Sequence, residues 1–136
     1  MNNKLLLSND LFNDVKSGKT VNTIRKGHRN ILLGVDNISP VHREIPNSQK
    51  TGTHTISDLT VSIHMVKQTV FKKLTVDDLI QNGTKASAQT FTEDLANFLK
   101  EMQAFYPDMT EDTKVTVIYF KYISGGGICG GGTPMK

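Results

Sequence analysis

Between Ser17 and Arg29 the chain reads SGKTVNTIRKGHR, and here its chemistry-bearing side chains are densest. Lys19, Arg25, Lys26, His28 and Arg29 surround Thr20 and Thr23. Two kinds of chemistry follow from those residue types. Cations brought together form a positive wall for an anionic ligand, with Arg25 gripping a phosphate through parallel N–H donors and Lys19, Lys26 and Arg29 adding charge. A lysine beside a threonine is also a base beside a nucleophile, provided that burial and neighbouring cations lower the lysine pKa enough for it to take the hydroxyl proton. The competing role of such a run is a solvated face, with Arg25 paired to a carboxylate across a sheet.

A ligand that carries bases also needs flat surfaces. Tyr122, near the end of the last apolar stretch, is the candidate stacking platform, while Tyr119, Phe71 and Phe12 read mostly as core. The histidines at 28, 42, 54 and 64 are too scattered for metal-ligand spacing. The single cysteine, Cys129, sits among glycines and offers neither a disulfide framework nor a zinc spacing, so no metal and no cofactor are expected. GGGICGGG lacks the helix and the lysine that make a phosphate-cradling loop.

These residues need elements to position them. Asp10 to Ser17 reads as a short helix ended by Gly18, with Ser8 or Asp10 as N-cap. TVNTIR reads as a strand whose imperfect alternation calls for a bulge near Asn22, and NILLGVDNI as a strand broken by Gly34. The polar run from Ser39 to Thr55 reads as a loop or irregular hairpin. Leu59 to Val70 alternates apolar and polar, with Leu59, Val61, Ile63 and Met65 on the buried face. Thr75 and Asp78 bracket the start of a second short helix that carries Val76, Leu79 and Ile80 inward before Gly83. Thr90 and Glu93 form a capping box for a long helix through Tyr106. TKVTVIYFKYI is apolar on both faces and should lie centrally in a sheet.

The whole chain, 136 residues with 37% hydrophobic content, suits one soluble domain. Lys and Arg exceed Asp and Glu by only 16 to 13, too small an excess for a nonspecific DNA binder. The three leucines near the start are too few for a signal-peptide core or a membrane span, so a cytoplasmic location is expected.

Helix, Gly-Lys-Thr, β-branched strand and Arg, then LLGVDNI and a closing VTVIYFKYI, resemble the ASCH domain. The resemblance runs from about Leu11 to Ile123 and is sharpest at SGKTVNTIRKG. It implies an α+β fold, a small PUA-like mixed β-barrel with one long and two short helices packed around it, over residues 1–123. A flexible glycine-rich tail, 124–136, would follow. LTVDDL, the helix ending FYPD and the last strand resemble a bacterial branch of amidohydrolases acting on acetylated cytidine. That branch implies a catalytic lysine and threonine on the first strand and a glutamate shortly before the long helix. Lys19 matches the lysine. Thr23 matches the threonine, with Thr20 as rival because one extra residue separates Lys19 from Thr23. TKASAQT, from Thr84 to Thr90, offers no carboxylate, and the nearest, Glu93 and Asp94, lie in the first turn of the helix.

Three functions follow as expectations. The first is an ASCH-type module binding RNA or a nucleotide through a basic cleft made by Lys19, Arg25, Lys26, Arg29 and Tyr122. The second is an amidohydrolase on an N-acylated cytidine-type nucleoside, using Lys19 and Thr23. The third is a small regulatory protein that binds another protein through the polar insertion from Val41 to His54, in a style that would suit a phage gene.

Overall fold

Apolar residues on both faces of one segment and on one face of its neighbours dictate a sheet with a buried centre. The structure, a computed structural model, describes residues 5–46 and 53–130. In chain order the elements are β1 (Leu5–Leu7), α1 (Phe12–Ser17), β2 (Asn22–Lys26), β3 (Gly34–Pro40), β4 (Glu44–Pro46) and β5 (Thr53–Ile56). These are followed by β6 (Leu59–Val70), α2 (Val76–Gln81), α3 (Phe91–Gln103), β7 (Lys114–Gly125) and β8 (Ile128–Gly130). The main sheet has the order β1-β3-β6-β7-β2, parallel only between β1 and β3, and a smaller antiparallel sheet has the order β4-β5-β8. With strands on both sides, β7 buries every residue from Val115 to Phe120, as its two apolar faces require.

The main sheet curls into a half-barrel whose edge strands, β1 and β2, are bridged by the Arg25 side chain donating to the Leu6 carbonyl. Its inner face packs Leu59, Val61 and Ile63 of β6 with Ile118 and Phe120 of β7, and α1 closes onto them through Phe12 and Val15. Its outer face packs Ile24, Val115, Val117 and Tyr119 against Phe71, in the turn after β6, and against Leu79, Phe98 and Met102, the apolar sides of α2 and α3. This is the α+β half-barrel with one long and two short helices that the sequence implies.

Several local expectations are revised. Strand β2 pairs with β7 without interruption, so there is no bulge at Asn22; Val21 lies before the strand, with its N–H on the Gln81 carbonyl. The register breaks occur instead between β6 and β7, at Thr60/Val61 and at Ile63/Met65. The second break inserts His64 and leaves Met65 exposed, where strict alternation would bury it. Ile80 is exposed because only Leu79, one residue earlier, points into the core. Thr90 makes no cap with Glu93; its hydroxyl donates to the Asp94 carboxylate, which also accepts the Ser87 N–H. The strand expected over NILLGVDNI begins only at Gly34.

The boundary expected at residue 123 falls inside β7, and Ile128–Gly130 pairs with β5 rather than trailing as a tail. Residues 131–136 of that expected tail lie outside the described residues. The irregular hairpin expected over 39–55 takes the form of β4 and β5. Residues 47–52 of the insertion are likewise outside the described residues.

Candidate binding cleft

Gly18 ends α1 with φ +85°, a conformation that only glycine adopts without strain. The turn it makes sends Lys19 into solvent and brings Thr20 beneath the end of α2. There the Thr20 hydroxyl donates to the Asn82 carbonyl at 3.1 Å and its N–H to the Asp14 carbonyl at 3.0 Å. Gly83 sits directly over this contact: a Cβ at that position would lie 2.5 Å from Thr20 Oγ1. Thr20 is therefore a buried structural link between α1, β2 and α2.

On β2 the side chains alternate between the two faces of the sheet. Thr23 and Arg25 share the inner face with their partners Ile118 and Thr116, while Asn22, Ile24 and Lys26 share the outer face with Tyr119, Val117 and Val115. Thr23 is buried and accepts the Arg25 Nε–H at 2.9 Å. Lys19 has no ion pair among the described residues. No hydrogen bond joins Lys19 to Thr23 among the described residues.

The cation wall also divides. Lys26 pairs with Asp108 beyond α3 at 2.7 Å, on the outer side. The Arg29 Nε–H bonds back to the Lys26 carbonyl, and His28 Nε2 lies 2.9 Å from the Thr69 carbonyl oxygen. Arg25 turns across the seam to β1. Arg29 lies near Arg25: its backbone N–H donates at 2.8 Å to the hydroxyl of Thr116, the cross-strand partner of Arg25.

A polar cluster that the sequence reading missed lies under α2. Asp78, almost wholly buried, accepts from Lys67 Nζ at 2.5 Å and from the Thr75 N–H at 3.0 Å through Oδ2, and from the Tyr119 hydroxyl at 2.5 Å through Oδ1. The Thr75 hydroxyl accepts the Asp78 N–H in return, completing a capping box. Asn22 donates to the Asp78 carbonyl, and Asn82 donates to the Asn22 side chain. Burial acts to raise the Asp78 pKa, but the bonds from Lys67, Tyr119 and Thr75 outweigh it and hold the carboxyl below its ordinary range. The same burial, with the Asp78 charge, pushes the Tyr119 phenol well above its ordinary value. The signal available in the sequence was the Thr75–Asp78 spacing; the lysine and tyrosine that meet it come from two other strands.

Beside this cluster opens a cleft of about 620 Å³, a size suited to a small ligand. It is walled by Lys16, Ser17 and Gly18 at the end of α1, by Asp77 and Gln81 of α2, and by His64 and Met65 at the β6 bulge. Tyr119, Phe120, Lys121 and Tyr122 of β7 complete the lining. The His64 and Tyr119 rings are 6.4 Å apart between centroids. Tyr122, the expected platform, is partly buried and fixed by a 2.8 Å bond from its hydroxyl to the Gly125 carbonyl. Lys16 and Lys121, not Lys19, supply the positive charge here. Among the described residues no cluster of three or more His, Cys, Asp or Glu is placed to hold a metal ion, and no helix is long and apolar enough to cross a membrane.

No protein-family model matches the sequence, and no curated protein does. Solved structures do match in fold. A DUF984 protein from Enterococcus faecalis V583 superposes with a TM-score of 0.55 at 15% identity, covering 100% of this chain and 87% of its own. The ASCH domain from Lactobacillus crispatus JV V101 gives 0.51 at 13% identity, over 84% of this chain and 70% of that one. A mutant ASCH protein from Zymomonas mobilis gives 0.50 at 13%, over 89% and 71%. The chain therefore shares the fold of these ASCH-domain structures.

Proposed function

We propose that this ASCH-type module binds a nucleotide, free or within single-stranded RNA, in the cleft between α1, α2 and the β6 bulge. The observation that carries the reading is the composition of that cleft: aromatic rings at Tyr119, Tyr122 and His64 bordered by two lysines, Lys16 and Lys121. A base stacks on a ring whatever its sequence, and a lysine on the rim neutralises its phosphate. Asp77 and Gln81, one helical turn apart, add an acceptor and a mixed donor–acceptor for the base edge. Binding is non-catalytic in this reading, since Lys67 and Tyr119 are both committed to Asp78 and no hydrogen bond joins Lys19 to Thr23 among the described residues.

The test is fluorescence anisotropy with labelled oligouridylate, and competition by mononucleotides, at low salt. Lys121→Ala weakens binding and flattens its salt dependence, and Tyr122→Ala weakens it by about tenfold. Absence of binding by the wild type at low salt ends the proposal. Release of acetate from N-acetylated cytidine would replace it with the amidohydrolase reading.

A further inference from the structure

Three cations among the described residues are partly buried: Arg25, Lys26 and Lys67. Lys26 is paired with Asp108 and Lys67 with Asp78. Arg25 has no carboxylate partner among the described residues, and Arg29 stands beside it, with its backbone N–H on the hydroxyl of Thr116, the residue opposite Arg25 in the sheet, at 2.8 Å. A guanidinium carries five N–H donors in a fixed fork. Those of Arg25 reach Thr23 Oγ1 and the Leu6 carbonyl, and the remaining donors have no acceptor among the described residues. Arg29 uses only its Nε–H, on the Lys26 carbonyl.

This arrangement leaves donors and positive charge facing the same seam. Loss of hydration is the main influence lowering the Arg25 pKa from its ordinary value; Tyr106 opposes that effect and Arg29 adds to it. An arginine remains charged even so, and a partly buried guanidinium with spare donors beside an exposed second one favours an anion that can reach both. The position also suits a ligand, because β1 and β2 are the two unpaired edges of the half-barrel and the seam between them is crossed by Arg25. The site is separate from the cleft: Arg25 lies three residues along β2 from Asn22, roughly 10 Å, and on the opposite face of the sheet from Tyr119.

We infer that Arg25 and Arg29 form a phosphate-binding site at the seam between β1 and β2. Two guanidiniums match a tetrahedral oxyanion through paired N–H donors better than two ammonium groups would. The phosphate is either a free ion or a phosphodiester of a nucleic-acid backbone, and the chemistry of recognition is the same.

Thermal unfolding of the full chain at pH 7, in sodium phosphate and in sodium chloride of equal ionic strength, tests the site. Phosphate stabilises most proteins nonspecifically, so the readout is the difference between wild type and Arg29→Gln. The expected result is a phosphate-dependent rise in midpoint for the wild type that exceeds the rise for Arg29→Gln, with phosphate affinity by calorimetry lower by about tenfold in the variant. Arg29→Gln removes an exposed group with a single local bond, so its fold is retained. Arg25→Lys, which keeps charge and loses the fork, shows the same deficit. Oligouridylate in place of phosphate separates the sources: a deficit with either ligand supports the site and identifies which form it takes. Equal responses of wild type and Arg29→Gln to both ligands overturn it. The difference between wild type and Arg29→Gln persists in a Lys121→Ala background, since loss of the cleft alone leaves that difference intact, so failure of the cleft reading and failure of the seam reading give different results.

Discussion

Asn22 and Arg25 stand at the two ends of one short strand, and their surroundings are opposite in kind. Around Asn22 the buried polar groups satisfy one another: Asn22, Asn82, Thr75, Lys67 and Tyr119 all converge on Asp78 or its backbone. Around Arg25 the guanidinium reaches only a hydroxyl and a carbonyl, with no carboxylate partner among the described residues. A saturated network in a low-dielectric interior fixes geometry and leaves its polar atoms no free hydrogen bond for a ligand. An unsaturated one leaves donors and charge available. Among the described residues the Asp78 cluster is scaffold, and the binding we propose draws on groups outside it, in the cleft and at the seam.

If that contrast is right, substitutions at the Asn22 end act on stability and those at the Arg25 end on binding. The largest effect belongs to Asp78→Ala, which strands Lys67 and removes the cap of α2; urea denaturation should show a loss of about 3 kcal/mol or more. Gly83→Ala follows, at about 2 to 3 kcal/mol, because the new Cβ meets Thr20 Oγ1 in a backbone with φ +86°. Tyr119→Phe leaves one Asp78 oxygen without its donor and costs about 1.5 kcal/mol by the same measurement.

The acid limb of stability sharpens the same point. The folded Asp78 pKa is below its unfolded value of about 3.9, so near that pH the unfolded chain binds more protons. The stability Asp78 contributes is complete above that region and is lost as pH falls through the lowered folded pKa, and Asp78→Asn should flatten that part of a denaturation-versus-pH curve. The smallest effect is at the exposed Lys26–Asp108 pair: Asp108→Ala should leave the denaturation midpoint unchanged. A large loss there, or a small one for Asp78→Ala, would reverse the assignment of scaffold and surface.

The sequence shows the elements more clearly than their meeting points. Strand β6 spans the residues its alternation marks, β7 is central as its two apolar faces demand, and Thr75 with Asp78 caps α2 as their spacing suggests. What could not be read was convergence across segments. Lys67 is an ordinary lysine in an alternating strand until α2 sets a carboxylate over it. Lys16 and Lys121 lie over a hundred residues apart and line one cleft only through the fold. The crowded SGKTVNTIRKGHR stretch misled in the opposite way, because neighbours along a strand face opposite sides of a sheet. Arg25 and Lys26 are adjacent in sequence and divided by the layer they belong to.

The single inserted residue at His64 has a consequence for how the long strand can vary. Upstream of it the odd-numbered side chains Val61 and Ile63 point to the barrel; downstream the even-numbered Val66 does so, and Lys67 turns towards α2. Removing that one residue would invert the parity of everything to Val70, driving an ammonium into the barrel and a valine against the buried acid. One extra peptide unit therefore lets a continuous ribbon serve two oily compartments in turn, and the strand tolerates exchange of side chains far better than any change in its length.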